Sequence, residues 1–229
     1  MKSYDLIHWT HSDFRVDKAF PELGDIDCSW APQKIYDPAK KKMMVYFTIR
    51  YDNKECHMYY SYANEDFSKL ETVPQKITDI GGIDGDITKV GDKYQMFYVF
   101  EVYKVGDKYQ MFYVSDAKVL HAVSDKINMD YKAESRRIDP EKVSTEAPNV
   151  FKRIGTDTYV LMYDVYGKRP SNMGFSETTD FVNFKNIGHF NEGVMKTTNF
   201  SSPKHGAVNY LTKKEIKAIV EHWKRMNNW

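Results

Sequence analysis

The chain has 229 residues, 33 of them basic and 32 acidic, for a formal net charge of +1. That length allows one large domain or two small ones with a sizeable core. The evenly mixed charge argues against a nucleic-acid or membrane surface, and no apolar run approaches the roughly 18 residues that span a bilayer. The first element along the chain, Met1–Phe14, lacks the apolar stretch of a signal peptide. Period-two runs rich in Tyr, Phe, Val and Met follow at Lys42–Thr48, Tyr94–Val99 and Thr158–Tyr163. Each comes after a turn signal: Asp37-Pro38, Gly91-Asp92 and Gly155-Thr156-Asp157. They predict antiparallel strands. The aromatic content, 15% of the chain, points the same way. The one predicted helix is Lys213–Arg225, with Thr212 as N-cap and Glu215 completing a capping box.

A longer repeat underlies the strands. Ser3-Tyr4-Asp5 leads to Trp9, and Asn64-Glu65-Asp66-Phe67 follows the run MYYSY. Ser124-Asp125 leads to Tyr131, and Ser176–Phe181 leads to Phe184. A small residue, a carboxylate and an aromatic on a turn thus recur every ~50 to 60 residues, the period of a four-stranded propeller blade. A β-sandwich shows tighter, less regular spacing. The expectation is one all-β domain over residues 1–229, a β-propeller.

A second repeat is exact. Lys89–Val99 and Lys104–Val114 both read KVGDKYQMFYV. Diverging blades do not stay identical, so this is a recent or engineered tandem duplication of one strand-turn unit. It must add a strand to a blade or bulge out as a loop. Cys28 and Cys56 are the only cysteines, too few for a disulfide framework or a zinc site. His8 and His11 flank Trp9 without a third metal ligand and read as surface histidines.

Four segments carry candidate chemistry. Trp30-Ala31-Pro32-Gln33 precedes a strand. Ile83-Asp84-Gly85-Asp86-Ile87 sets two carboxylates in an apolar frame. Thr145-Glu146-Ala147-Pro148 heads an apolar strand, and Pro203-Lys204-His205-Gly206 comes near the end. Carboxylates on the inner strands of a propeller stand near water between low-dielectric walls. Their pKa can therefore rise, as a general acid for glycoside hydrolysis requires.

In this order, with Ser-Tyr-Asp-Leu-Ile-His-Trp ahead and Leu-Met-Tyr-Asp-Val-Tyr behind, the motifs resemble glycoside hydrolase family 43, especially its arabinosidase and xylosidase members. The resemblance implies a five-bladed propeller with a short C-terminal helix, acting on arabinose- or xylose-containing glycans by an inverting acid/base mechanism. It places the general acid at Glu146 and the residue that tunes its pKa at Asp84, with Asp86 a near alternative. Asp86, Trp30 and His205 become substrate-binding residues, with a bound water or cation near His205 and no other cofactor. The water-activating Asp of the family precedes the Ser-x-Asp-Leu unit at which this sequence begins, and Asp37-Pro38 does not replace it. Blade one is therefore expected to be incomplete and hydrolysis impaired, since a general base contributes about 10² to 10⁴ in rate. A non-catalytic glycan-binding propeller is the alternative, and an engineered or truncated propeller fragment another. The expected partner is an oligosaccharide or polysaccharide. Unpaired strand edges predict self-association into a homo-oligomer. Members of the family are often secreted or periplasmic.

Overall fold

The computed structural model describes residues 1–90, 108–192 and 202–226. Among these residues, twelve strands form three four-stranded sheets. The first comprises β1 (Cys28–Asp37), β2 (Lys42–Arg50), β3 (His57–Tyr62) and β4 (Gln75–Gly81). The second is β5 (Ile83–Val90), β6 (Lys108–Ser115), β7 (Lys118–Ser124) and β8 (Lys132–Glu134). The third is β9 (Thr145–Lys152), β10 (Tyr159–Val165), β11 (Asn172–Thr178) and β12 (Lys185–His189). Every pairing is antiparallel and joins strands consecutive in the chain. The first strand of each sheet faces its counterparts, with β5 packed against both β1 and β9. These are the blades of a propeller-type fold. Among the described residues, the α-helices α1 (Val16–Ala19) and α2 (Lys213–Met226) and a 3₁₀ turn at Pro21–Leu23 lie outside the sheets.

The middle strands depart from the alternation read in the sequence. All seven residues of β10 are buried, and six in succession on β6. The second sheet packs between the other two, so β6 has no solvent side to alternate toward, while β10 buries its other face by placing Val160 and Met162 in a cluster with Met173 and Phe175. One apolar cluster, with Met44, Tyr46, Met58, Ile87 and Met111, lies between the first two sheets. Another, with Phe112, Val119, Leu161, Tyr163 and Phe181, joins the second to the third.

The small–acid–aromatic repeat marks the turn that leaves the third strand of each sheet. Asp66 accepts the Ser68 N–H at 3.1 Å, and Asp180 accepts those of Val182 and Asn183 at 2.9 and 2.7 Å. In the second sheet Ser124 Oγ accepts from Lys126 N at 3.0 Å. Asp5 makes the same kind of turn near the N-terminus, accepting from Ile7 and His8. The predicted capping box is present: Glu215 N donates to Thr212 Oγ1 at 3.2 Å, and Thr212 N to Glu215 Oε2 at 2.7 Å.

Of the duplicated segments, Lys89-Val90 end β5, and the second copy supplies β6 from Lys108 onward, with Val90 opposite Lys108. The remainder, including the strand expected at Tyr94–Val99, lies outside the described residues. Among the described residues the second sheet has four strands like the others. Cys28 and Cys56 are both free thiols.

Candidate active site

The inner strands share a local distortion. Ala31, Asp84 and Ala147 have φ of +48°, +54° and +49°, and His205, in the segment after the third sheet, has +49°. Each is followed by Pro or Gly: Pro32, Gly85, Pro148, Gly206. The pairing register shifts at Trp30/Gln33, at Ile83/Asp86 and, opposite Glu146, at Met162/Asp164. These are β-bulges, which break the pairing and re-aim side chains at the strand end. Left-handed backbone at a non-glycine residue costs about 1 to 2 kcal/mol, so its recurrence at the same place in the repeat reflects a demand of the architecture. Trp-Ala-Pro, Ile-Asp-Gly, Glu-Ala-Pro and Lys-His-Gly are thus four versions of one corner.

One step beyond the bulge runs a second repeated feature. Ile87, Val150 and Val208 occupy equivalent positions, and each donates its N–H to a side chain of the preceding sheet. The acceptors are Tyr46 Oη at 2.9 Å, Asp86 Oδ2 at 2.8 Å and Asn149 Oδ1 at 3.3 Å. Burial pushes the Asp86 carboxyl up to about 6, against the opposing pull of the Val150 N–H, the Asn149 amide and the Lys34 charge. Asp86 is buried, and its carboxylate ties β5 to β9.

The bulge layer gathers the reactive groups. Glu146, on β9, is about one-fifth exposed. Its Oε1 lies 2.6 Å from Lys204 Nζ and 3.4 Å from His205 Nε2. His205 Nε2 is 3.7 Å from Asp164 Oδ2, and the His205 backbone N–H donates to both Asp164 oxygens, at 2.9 and 3.0 Å. Asp164, next to last on β10, lies directly across from Glu146 and is fully buried. Burial raises its carboxyl above the ordinary value, offset by the His205 N–H. Asp84 is half-buried, and its Oδ2 accepts the Ala147 N–H at 3.4 Å. Burial raises it too, opposed by the His205 charge, while the Glu146 charge adds to the rise. The segment carrying Lys204 and His205 is held on β9 by the Val208 bond to Asn149 and by Tyr210 Oη, which donates to the Lys152 carbonyl.

Glu146, Asp84 and His205, singled out in the sequence, therefore come together. Trp30 stands on the first sheet, 40% exposed, with the Arg50 guanidinium 5.1 Å from its ring centre. The sequence reading assigned no role to Asp164 or Lys204. Their signals were a charge ending the apolar run Tyr-Val-Leu-Met-Tyr and a Lys directly before His205. Glu146, Asp164 and His205 present donor atoms within 4.8 Å of one another, a set that suits a cation in type. The Lys204 ammonium already lies against Glu146 Oε1 and supplies positive charge there.

The profile of a family described as a probable glycosyl hydrolase domain, related to glycoside hydrolase family 43, matches residues 1–217. The chain belongs to this family. Among solved structures, a mutant of the family 43 protein BlXynB from Bacillus licheniformis is similar with a TM-score of 0.57 at 16% identity, covering 80% of this chain and 35% of that one. A family 43 enzyme from Xanthomonas citri, complexed with xylotriose, has a TM-score of 0.50 at 13% identity, covering 71% and 55%. At such identities the likeness concerns the fold. The glycosyl hydrolase 43-related chain spans between 35% and 61% of the length of the first three solved structures it matches. No curated protein sequence matches it.

Proposed function

We propose that this cluster is a glycosidase site for arabinose- or xylose-containing glycans, with Glu146 as general acid and Asp84 as the neighbour that tunes it. The observation that carries the reading is the placement of Glu146. It stands on a bulge at the end of an inner strand, reachable by solvent, with a second carboxyl of raised pKa on the adjoining strand. Protonated Glu146 would give its proton to the leaving glycosidic oxygen. His205 and Asp164 would fix the direction in which it points. An inverting enzyme also needs a carboxylate about 6.5–9.5 Å away to activate water on the opposite face of the sugar. Asp164, with an oxygen within 4.8 Å of the Glu146 donor atom, is too close for that part. Hydrolysis by this chain is therefore proposed to be slow. Asp86 is proposed as a strut between blades rather than a sugar contact, because its carboxylate is buried and committed to Val150.

The Lys204 contact favours a second reading, a propeller that holds glycan without cleaving it, since an ammonium occupies the Glu146 oxygen that a general acid would turn toward the glycosidic bond. Hydrolysis of xylo- and arabino-oligosaccharides by the chain and by Glu146→Gln separates the two. Glycosidase action requires cleavage that falls by about 10² to 10⁴ in the variant. Binding without cleavage in both supports the second reading. Neither binding nor cleavage contradicts both.

A further inference from the structure

Lys204 poses a chemical problem for the proposed reaction. Its ammonium is bonded to the oxygen that a glycosidic bond must approach. A neutral sugar that displaces it leaves a partly desolvated cation without its partner, which is costly. A ligand that brings its own negative charge does not.

The loop after β10 adds a second cation on the same side. Tyr166 N and Gly167 N both donate to the Ser144 carbonyl, at 3.2 and 3.1 Å, two residues before Glu146. A Cβ at position 167 would come 2.5 Å from Ser144 N, so only glycine lets the loop approach this closely. The anchored loop carries Tyr166, whose ring centre is 5.8 Å from Lys204 Nζ. It also carries Arg169, which is exposed and donates to Ser171 Oγ at 3.1 Å. Among the described residues Arg169 has no carboxylate partner. The Glu146 hydrogen bond raises the Lys204 ammonium above its ordinary value, and the Arg169 charge is near enough to oppose that rise slightly. Lys204 and His205 are each about half exposed, toward solvent that a ligand would replace.

We propose that Lys204 and Arg169 form a subsite for an anionic oxygen group on the sugar, either a uronosyl carboxylate or a sulfate ester. A guanidinium fork matches two oxygens of either group, and an ammonium serves as a point charge beside it. On binding, Lys204 exchanges Glu146 for the ligand anion. Glu146 is then freed of the ammonium without an unpaired cation being left behind. The inference rests on the glycan-site reading of the same cluster and adds the substrate's charge to it.

Calorimetric titration of the full chain tests it with three probes: xylotriose, xylotriose bearing a glucuronosyl branch, and xylotriose bearing a sulfate ester. At least one charged sugar is expected to bind about tenfold or more tightly than xylotriose. That ratio should shrink with added salt and fall toward one in Lys204→Met and in Arg169→Met, with circular dichroism confirming that both variants fold. The tighter of the two charged probes names the source of the anion. Equal binding of neutral and charged sugars overturns the subsite and leaves the glycan site standing. A preference that survives in both variants also overturns it. If none of the three binds, the glycan-site reading fails and takes the subsite with it.

Discussion

The inner strands carry two layers of polar side chains a short step apart, and β5 shows the contrast in one residue type. Asp84 belongs to the bulge layer: it is half-buried and beside the charges of His205, Glu146 and Lys204. Asp86 belongs to the layer below: it is buried, and its carboxylate closes the same backbone position that Tyr46 and Asn149 close elsewhere. Burial raises both carboxyls. A raised pKa therefore does not by itself mark a reactive group. What separates the two is position in the repeat, because a site has no reason to recur between every pair of blades and a strut does.

The largest effect that sharpens this contrast is a pH dependence. The folded value of Asp86, about 6, lies above its ordinary 3.8, so the fold prefers the protonated carboxyl. The stability contributed by that preference is complete below pH 3.8 and lost as pH rises through about 6. Across that window it amounts to about 3 kcal/mol, at 1.36 kcal/mol per unit. Urea unfolding of the wild type and of Asp86→Asn should show the difference between them moving in favour of the wild type by that order as the medium is acidified. A difference that does not change with pH would remove the buried titrating strut.

Next in size is Asp86→Ala at neutral pH. It leaves the buried Val150 N–H without an acceptor, for a loss of about 1 to 3 kcal/mol, offset in part by removal of a buried charge. Asn, which keeps an acceptor, should be milder than Ala. The smallest effect is Asn149→Ala, about 1 kcal/mol, because its bond to Val208 is longer at 3.3 Å and holds a segment outside the sheets. If Asn149→Ala proved harsher than Asp86→Ala, the two would not be members of one graded series.

The contrast was only half legible in the sequence. The turn-capping carboxylates and the C-terminal capping box could be read directly, since each is satisfied within a few residues of chain. The middle strands β2 and β10 were legible as strands at Lys42–Thr48 and Thr158–Tyr163, but the extent of their burial was not, because a strand buried on both faces has no solvent side for alternation to mark. The sequence sets Asp84 and Asp86 together in one apolar frame, and residues two apart on a regular strand would share a face. The bulge at Asp84-Gly85 shifts the register between them and breaks that rule. Its sign in the sequence, a Pro or Gly closing Trp-Ala, Ile-Asp, Glu-Ala and Lys-His alike, acquires meaning only when the four corners are superposed. Asp164 and Lys204 were missed for a related reason. One approaches Glu146 across a strand pair and the other from 58 positions further along the chain, and neither distance shows in local pattern.

The most direct test of the two-layer account is to measure thermal unfolding and xylo-oligosaccharide binding for Asp84→Asn and Asp86→Asn side by side. Asp84→Asn should weaken or abolish binding with little change in melting temperature at pH 7. Asp86→Asn should alter the melting temperature and its pH dependence while leaving the affinity near that of the wild type. If Asp86→Asn lost sugar binding at unchanged stability, or Asp84→Asn shifted stability alone, the division of the inner strands into a reactive layer and a strut layer would be contradicted.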